Sequence, residues 1–107
     1  MKLKKIRREV TSLPDGTYIG TINRIFPFIK NETQWFSIVF NMDDGKNTEF
    51  TYFATVDNLE RYPWSAVFNA LDTNDTDDLV DRKCEFIIKN NAKNGKIYCN
   101  ITKITVK

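Results

Sequence analysis

Apolar and polar side chains alternate along residues 35–42, with Phe36, Ile38, Phe40 and Met42 on one parity and Trp35, Ser37, Val39 and Asn41 on the other. A period of two is the mark of a strand, because successive side chains leave a pleated backbone on opposite faces. The first row is wholly apolar and predicts a core face. The second sets a tryptophan among small and polar residues and predicts a half-exposed one. Upstream, residues 18–29 form another apolar-rich run, separated from the first by Lys30, Asn31, Glu32 and Thr33. Two such runs around a short polar break predict a long β-hairpin.

The flanking pattern extends this reading in both directions. Leu13-Pro14-Asp15-Gly16 has the chemistry of a turn, since proline presets φ and Asp-Gly tolerates positive φ, so a strand is expected from Thr17. Gly20 inside that strand predicts a bulge or a sharp bend, and Pro27, lacking an N–H, places its far half at an edge or out of the ladder. Residues 43–47 predict a hairpin loop and residues 48–54 a third strand. There Phe50, Tyr52 and Ala54 share one parity and Glu49, Thr51 and Phe53 the other, which leaves the core face of this strand open.

Residues 55–62 mix turn formers and apolar residues without a clean period. Trp64, Val67, Phe68 and Leu71 then recur at helical spacing and predict a short amphipathic helix, its Trp64 and Phe68 plugging one end of a barrel. The Asp-rich stretch that follows, with Asp72, Asp75, Asp77, Asp78 and Asp81, reads as a solvated acidic loop. A calcium loop would need a glycine at its turn and a closing glutamate. Strands over 83–89 and 96–106 complete the chain, joined through Asn94-Gly95, a strong hairpin signal.

Three meandering strands, one short helix and a two-stranded hairpin give an all-β expectation: a five-stranded antiparallel Greek-key barrel of the OB-fold type, the helix between strands three and four. Other small barrels, and an α+β fold with an open antiparallel sheet, share this element order. At 107 residues and 41% hydrophobic, the chain can bury one core without a disulfide or metal staple. A single domain over 13–107 is expected, preceded by a basic arm over 1–12. Lys2, Lys4, Lys5, Arg7 and Arg8 account for five of the 16 basic residues, so the rest of the chain is net acidic against its 14 carboxylates. Such an arm fits either a phosphate backbone or a solvated start to a first strand. The chain has no apolar run of the roughly 20 residues that span a bilayer, and its start lacks the apolar block of a signal peptide; a cytoplasmic protein with no membrane contact is expected.

Histidine is absent, which removes the commonest general base and the commonest metal ligand. Cys84 and Cys99 are the only cysteines; they form no C-x-x-C pair, and both lie on apolar strand faces, so two inert, reduced thiols are expected. No Gly-rich phosphate loop or zinc spacing occurs. The carboxylates cluster on an Asp-rich surface rather than in an apolar setting that would split their pKa values. A non-catalytic protein without cofactor or metal follows.

Residues 13–20, the acidic run Asp77-Asp78-Leu79-Val80-Asp81-Arg82 and the hairpin Asn94-Gly95-Lys96-Ile97-Tyr98 together resemble the landmarks of small OB-fold single-stranded-DNA-binding proteins of phages and mobile genetic elements. In that family a Pro-x-Gly-x-Tyr-x-Gly start leads into a bent first strand, and Asp-Leu-Val-Gly-Arg precedes strand four. Here Asp81 stands where glycine is usual. The resemblance covers most of residues 13–104.

It implies binding of single-stranded nucleic acid, DNA before RNA, with little sequence preference, in replication, recombination or transfer of such an element. A basic groove with rings on which bases stack suffices for that task. An OB-fold groove lies over strands two and three, between the loops joining strands one to two and four to five. This selects Trp35 and Tyr52 as stacking residues, Arg24, Phe28 and Lys30 near the first loop, and Lys89, Lys93, Lys96 and Tyr98 near the last. The alternative is a protein-interaction module of such an element, docking through the exposed aromatic face. A basic stripe beside Trp35 would favour nucleic acid, and an apolar patch ringed by mixed charges would favour protein.

Overall fold

A computed structural model describes residues 8–107. Six strands form one sheet: β1 (Arg8–Val10), β2 (Gly16–Lys30), β3 (Thr33–Met42), β4 (Thr48–Thr55), β5 (Lys83–Lys93) and β6 (Lys96–Val106). Their order across the sheet is β1-β4-β3-β2-β5-β6, and the sheet curls into a half-barrel. The long strand β2 is shared between both halves. Residues 16–21 pair with β5 and residues 20–30 with β3, all antiparallel. Gly20 sits where the two ladders overlap, opposite both Met42 and Cys84. A Cβ there would come within 3.1 Å of the Met42 sulfur and 3.3 Å of the Asn41 carbonyl, so glycine lets β3 approach closely without displacing Met42.

Several expectations are corrected. The described residues form six strands rather than five, because residues 8–10, assigned to the basic arm, add a short edge strand to β4. That strand runs parallel to β4, so the sheet is not wholly antiparallel. Among the described residues the ladder ends at β1 and β6 instead of closing. The irregularity in β2 falls between Ile22 and Arg24 rather than at Gly20. Beyond Ile22, whose backbone bonds to Asp81 and Arg82, no strand pairs with β2 on the β5 side, so the half that holds Pro27 has one free edge, as expected. The arm residues Lys2, Lys4, Lys5 and Arg7 lie outside the described residues.

Between β4 and β5 the expected helix is α2 (Trp64–Ala70), and it is joined by two elements that the pattern did not predict, α1 (Val56–Glu60) and a 3₁₀ turn over Thr76–Leu79. Five residues are too few to show a period, so α1 is invisible to a hydrophobic-pattern search. Its local signal is a reciprocal cap: the Thr55 hydroxyl accepts from the Asn58 N–H at 3.1 Å, and the Asn58 side-chain oxygen accepts from the Thr55 N–H at 2.9 Å. In α2, Trp64 and Val67 are buried, with Phe68 and Leu71 packed against the same core. The acidic stretch is pinned by Leu79, which is fully buried, and by Asp75, whose carboxylate accepts from the Asp77 N–H at 2.9 Å. Asp81 adopts φ +69°, the left-handed conformation that glycine would hold at no cost, and its N–H bonds to the Ile22 carbonyl at 2.7 Å.

The core fills the inside of the curl. Ile22, Ile38, Phe40, Phe50, Ala54, Phe86, Ile88 and Ile101 face inward from five strands, and Leu59, Trp64 and Leu79 cover the open side. Phe40 lies at its centre, 4.7 Å from the Phe86 ring and 6.0 Å from that of Phe50. Phe50 and Ala54 are fully buried and Phe53 is exposed, which decides the face of β4 that the pattern left open.

Candidate nucleic-acid interface

Cross-strand register builds the outer face of β2, β3 and β4 row by row. Phe28 lies opposite Trp35, which lies opposite Thr55; the next row is Phe26, Ser37 and Phe53; the next is Arg24, Val39 and Thr51. The rings lean on one another. Phe28 stacks on Trp35 at 6.3 Å and 17°, and meets Phe53 edge-on at 6.1 Å. The Arg24 guanidinium rests over the Phe26 ring at 5.4 Å. Phe26 and Phe53 remain about half exposed, at 49% and 46%. Ser37 between them floors a depression of about 470 Å³ that Arg24, Phe26, Phe53 and the buried Glu49 line.

The Glu49 carboxylate accepts a hydrogen bond from Arg24 at 3.0 Å, which holds the guanidinium in the plane of the face. Lys30 ends β2 at the two-residue turn Asn31–Glu32, both at positive φ, and is exposed. Glu9 lines the same depression from β1. The charge around the rings is therefore mixed.

Of the residues proposed from sequence, Trp35, Phe28, Arg24 and Lys30 share this face. Tyr52 does not. It points inward, stacks on Trp64 at 6.1 Å, and burial raises its phenol pKa, partly countered by a hydrogen bond with the Ile101 backbone. Phe26 and Phe53 take its place. The residue pattern did not mark them, because it left the face of β4 open; the register with β3 places both on its outer face.

Lys89, Lys93, Lys96 and Tyr98 come together elsewhere. Lys89 faces Asn100, Asn91 faces Tyr98 and Lys93 faces Lys96, so all four share one face of the β5–β6 hairpin. β2 separates this hairpin from β3 in the sheet. Pairing with β2 ends at Ile88, and Asn90 is the last residue tied down: its N–H and side-chain amide both donate to Asp15, at 2.8 and 2.9 Å, and the amide also reaches the Leu13 carbonyl at 2.8 Å. These bonds hold the Asp15 carboxyl below its usual range. Past Asn90 a bare two-stranded ribbon continues to the Asn94-Gly95 turn, both residues at positive φ as a type I′ turn requires.

The two thiols are free and sit on different rows, Cys84 opposite Val106 and Cys99 opposite Asn90. Burial pushes Cys84 up to about 11 and raises the half-buried Cys99 as well. Among the described residues no three acidic or sulfur side chains converge as metal ligands would, and no helix is long and apolar enough to cross a membrane. The chain matches no protein-family model and no curated protein.

Proposed function

We propose that the outer face of β2, β3 and β4 binds single-stranded nucleic acid, DNA before RNA, without catalysis and with little sequence preference. The observation that carries this reading is the set of solvent-reachable rings, Phe26, Phe28, Trp35 and Phe53, mounted on three adjacent strands with Arg24 among them. Neighbouring strands lie about 4.8 Å apart, so the backbones of Phe26 and Phe53 stand roughly 10 Å apart across the small Ser37, room for a flat base between two rings. Each base stacked on an aromatic side chain contributes about 1–3 kcal/mol whatever its identity. Arg24, Lys30 and the arm residues Lys2, Lys4, Lys5 and Arg7 supply phosphate contacts, and the hairpin lysines add to the positive field.

The order β4-β3-β2-β5-β6, with β2 shared between two ladders, supports an OB-like barrel as the finer description of the fold. The resemblance of the turn motifs supports a role in replication, recombination or transfer of a phage or mobile element. The test is a titration of tryptophan emission with single-stranded and duplex oligonucleotides. Single strands are expected to quench, duplexes to bind more weakly because their bases are already stacked, and Trp35→Phe to retain most of the affinity that Trp35→Ala loses. Lack of binding by the folded protein at low salt overturns the reading.

A second reading rests on the mixed charge around the rings. Glu9, Glu32 and Glu49 stand among Arg24 and Lys30, and this is the setting of a protein-docking patch. In that case Trp35→Ala abolishes capture of a protein partner and leaves oligonucleotides without effect.

A further inference from the structure

Charge is divided sharply along the second half of the chain. Residues 55–81 carry seven acidic side chains and one basic, and residues 82–107 carry seven basic and one acidic. The fold assigns these blocks to different surfaces. The acidic block forms α1, α2 and the 3₁₀ turn, and the basic block forms the β5–β6 hairpin.

Each surface also carries apolar side chains that reach solvent, Val56 on the first and Ile97 and Tyr98 on the second. Between α1, α2 and the 3₁₀ turn runs a groove of about 440 Å³ lined by Phe36, Val56, Leu59 and Phe68, with Glu60 on its rim. It adjoins two further depressions that hold Glu32 and Asp57 on one side and Asp72 on the other; Asp57 pairs with Arg61 at 2.6 Å, and among the described residues no lysine or arginine lines any of the three. At the bare end of the hairpin, Ile97 is 75% exposed and Tyr98 48%. Lys93 lies directly opposite Lys96 there. Like charges facing each other across a ladder repel, so this arrangement is relieved by an anionic group set against it.

We infer that the ribbon of one copy enters the acidic groove of a second copy tip first, its two faces meeting the two walls: Tyr98, Lys93 and Lys96 on one face against Val56 and Glu60 of α1, and Ile97 on the opposite face against Phe68 of α2. Phosphate would satisfy the lysines but not Ile97; the groove supplies both carboxylate and apolar surface. The two surfaces differ, so the contact is head-to-tail and each added copy presents a fresh groove and a fresh ribbon. Such a contact builds open chains of copies rather than closed pairs. It is independent of what the aromatic face binds.

The test uses the whole chain without nucleic acid, followed by sedimentation at low salt over rising protein concentration. The wild type is expected to grow in average mass past two copies and to fall back to monomer in high salt. Lys93→Glu with Lys96→Glu, and separately Glu60→Lys with Asn69→Lys, should each stay monomeric, since each sets like charges against like. All four substitutions are at exposed positions, and circular dichroism checks the fold. Mixing the two variants should restore association, because the reversed ribbon then fits the reversed groove. A wild type that stays monomeric, growth that stops at two copies, association untouched by either reversal, or a mixture that does not recover would each overturn the inference. So would a ribbon reversal that weakens oligonucleotide binding but leaves self-association intact, which gives the ribbon to nucleic acid.

Discussion

The two hairpins of this sheet end in two-residue turns of the same kind, yet one has a core behind it and the other ends in open ribbon. In the β2–β3 hairpin, Ile22, Ile25, Ile38 and Phe40 bury most of the inner row and anchor the strands, and only near the turn does that row emerge, with Ile29 73% exposed. The outer row is thereby free to hold rings for a partner. In the β5–β6 hairpin the same division holds only as far as Ile88 and Ile101; past Asn90 no inner row exists, and Ile97 and Tyr98 stand in solvent. Backing by a core turns exposed residues into a fixed surface, and its absence turns them into a protruding arm.

The largest expected effect tests the backing itself. Phe40→Ala removes the ring at the centre of the core and should cost about 3–5 kcal/mol, enough to unfold much of a small domain, whereas Ile97→Ala on the ribbon should stay within about 0.5 kcal/mol. Urea titration of both variants makes the comparison, and similar losses would show that the ribbon is braced after all.

Next comes the division between faces of one strand. Phe53→Ala should weaken single-strand binding by about 1–3 kcal/mol with little change in the unfolding midpoint. Its neighbour Tyr52→Phe should do the reverse, losing about 0.5–1.5 kcal/mol of stability with its hydrogen bond to Ile101 and leaving affinity unchanged. If Tyr52→Phe proves to be the binding variant, the face assignment is wrong.

A smaller gain is expected at the turn leading into β5. Replacing Asp81 by glycine relieves a non-glycine residue at φ +69° and should raise stability by up to about 1 kcal/mol, read as a shift in thermal midpoint. No change would mean that Asp81 is as comfortable there as glycine.

The finest distinction concerns the joint where backing stops. Hydrogen bonds from Asn90 lower the Asp15 pKa in the folded chain, so this carboxylate's contribution is complete above the ordinary carboxylate value and is lost as pH falls through the depressed one. The protection factor of the Asn90 amide, its exchange rate set against the intrinsic rate at the same pH, should therefore fall on acidification in the wild type. In Asp15→Ala that factor should be low at every pH, with β2–β3 protection unchanged.

Residue pattern alone settled much of this molecule. The strict alternation over 35–42 separated Phe36, Ile38, Phe40 and Met42 from Trp35, Ser37 and Asn41, and the structure keeps that separation, because a strand with one apolar row has only one way to face a core. The Asn-Gly signal marked the last hairpin for an equally local reason: both turn residues must reach positive φ. The pattern was silent where both choices were comparably apolar. On β4, Phe53 on one row balances Phe50 and Tyr52 on the other, and only pairing with β3 decides between them. Val39 belongs to the outer row yet is 3% exposed, buried by neighbours that no period reveals. The short strand at Arg8–Val10 and the five-residue α1 fell below the length at which a period can be read, and they form because β4 offers an open edge and Thr55 and Asn58 cap each other. The separation of Lys89, Lys93, Lys96 and Tyr98 from the aromatic face is likewise a tertiary result. Charge and aromatic content are written in the chain, but which of them share a surface is fixed by sheet order, and sheet order depends on contacts between residues far apart in sequence.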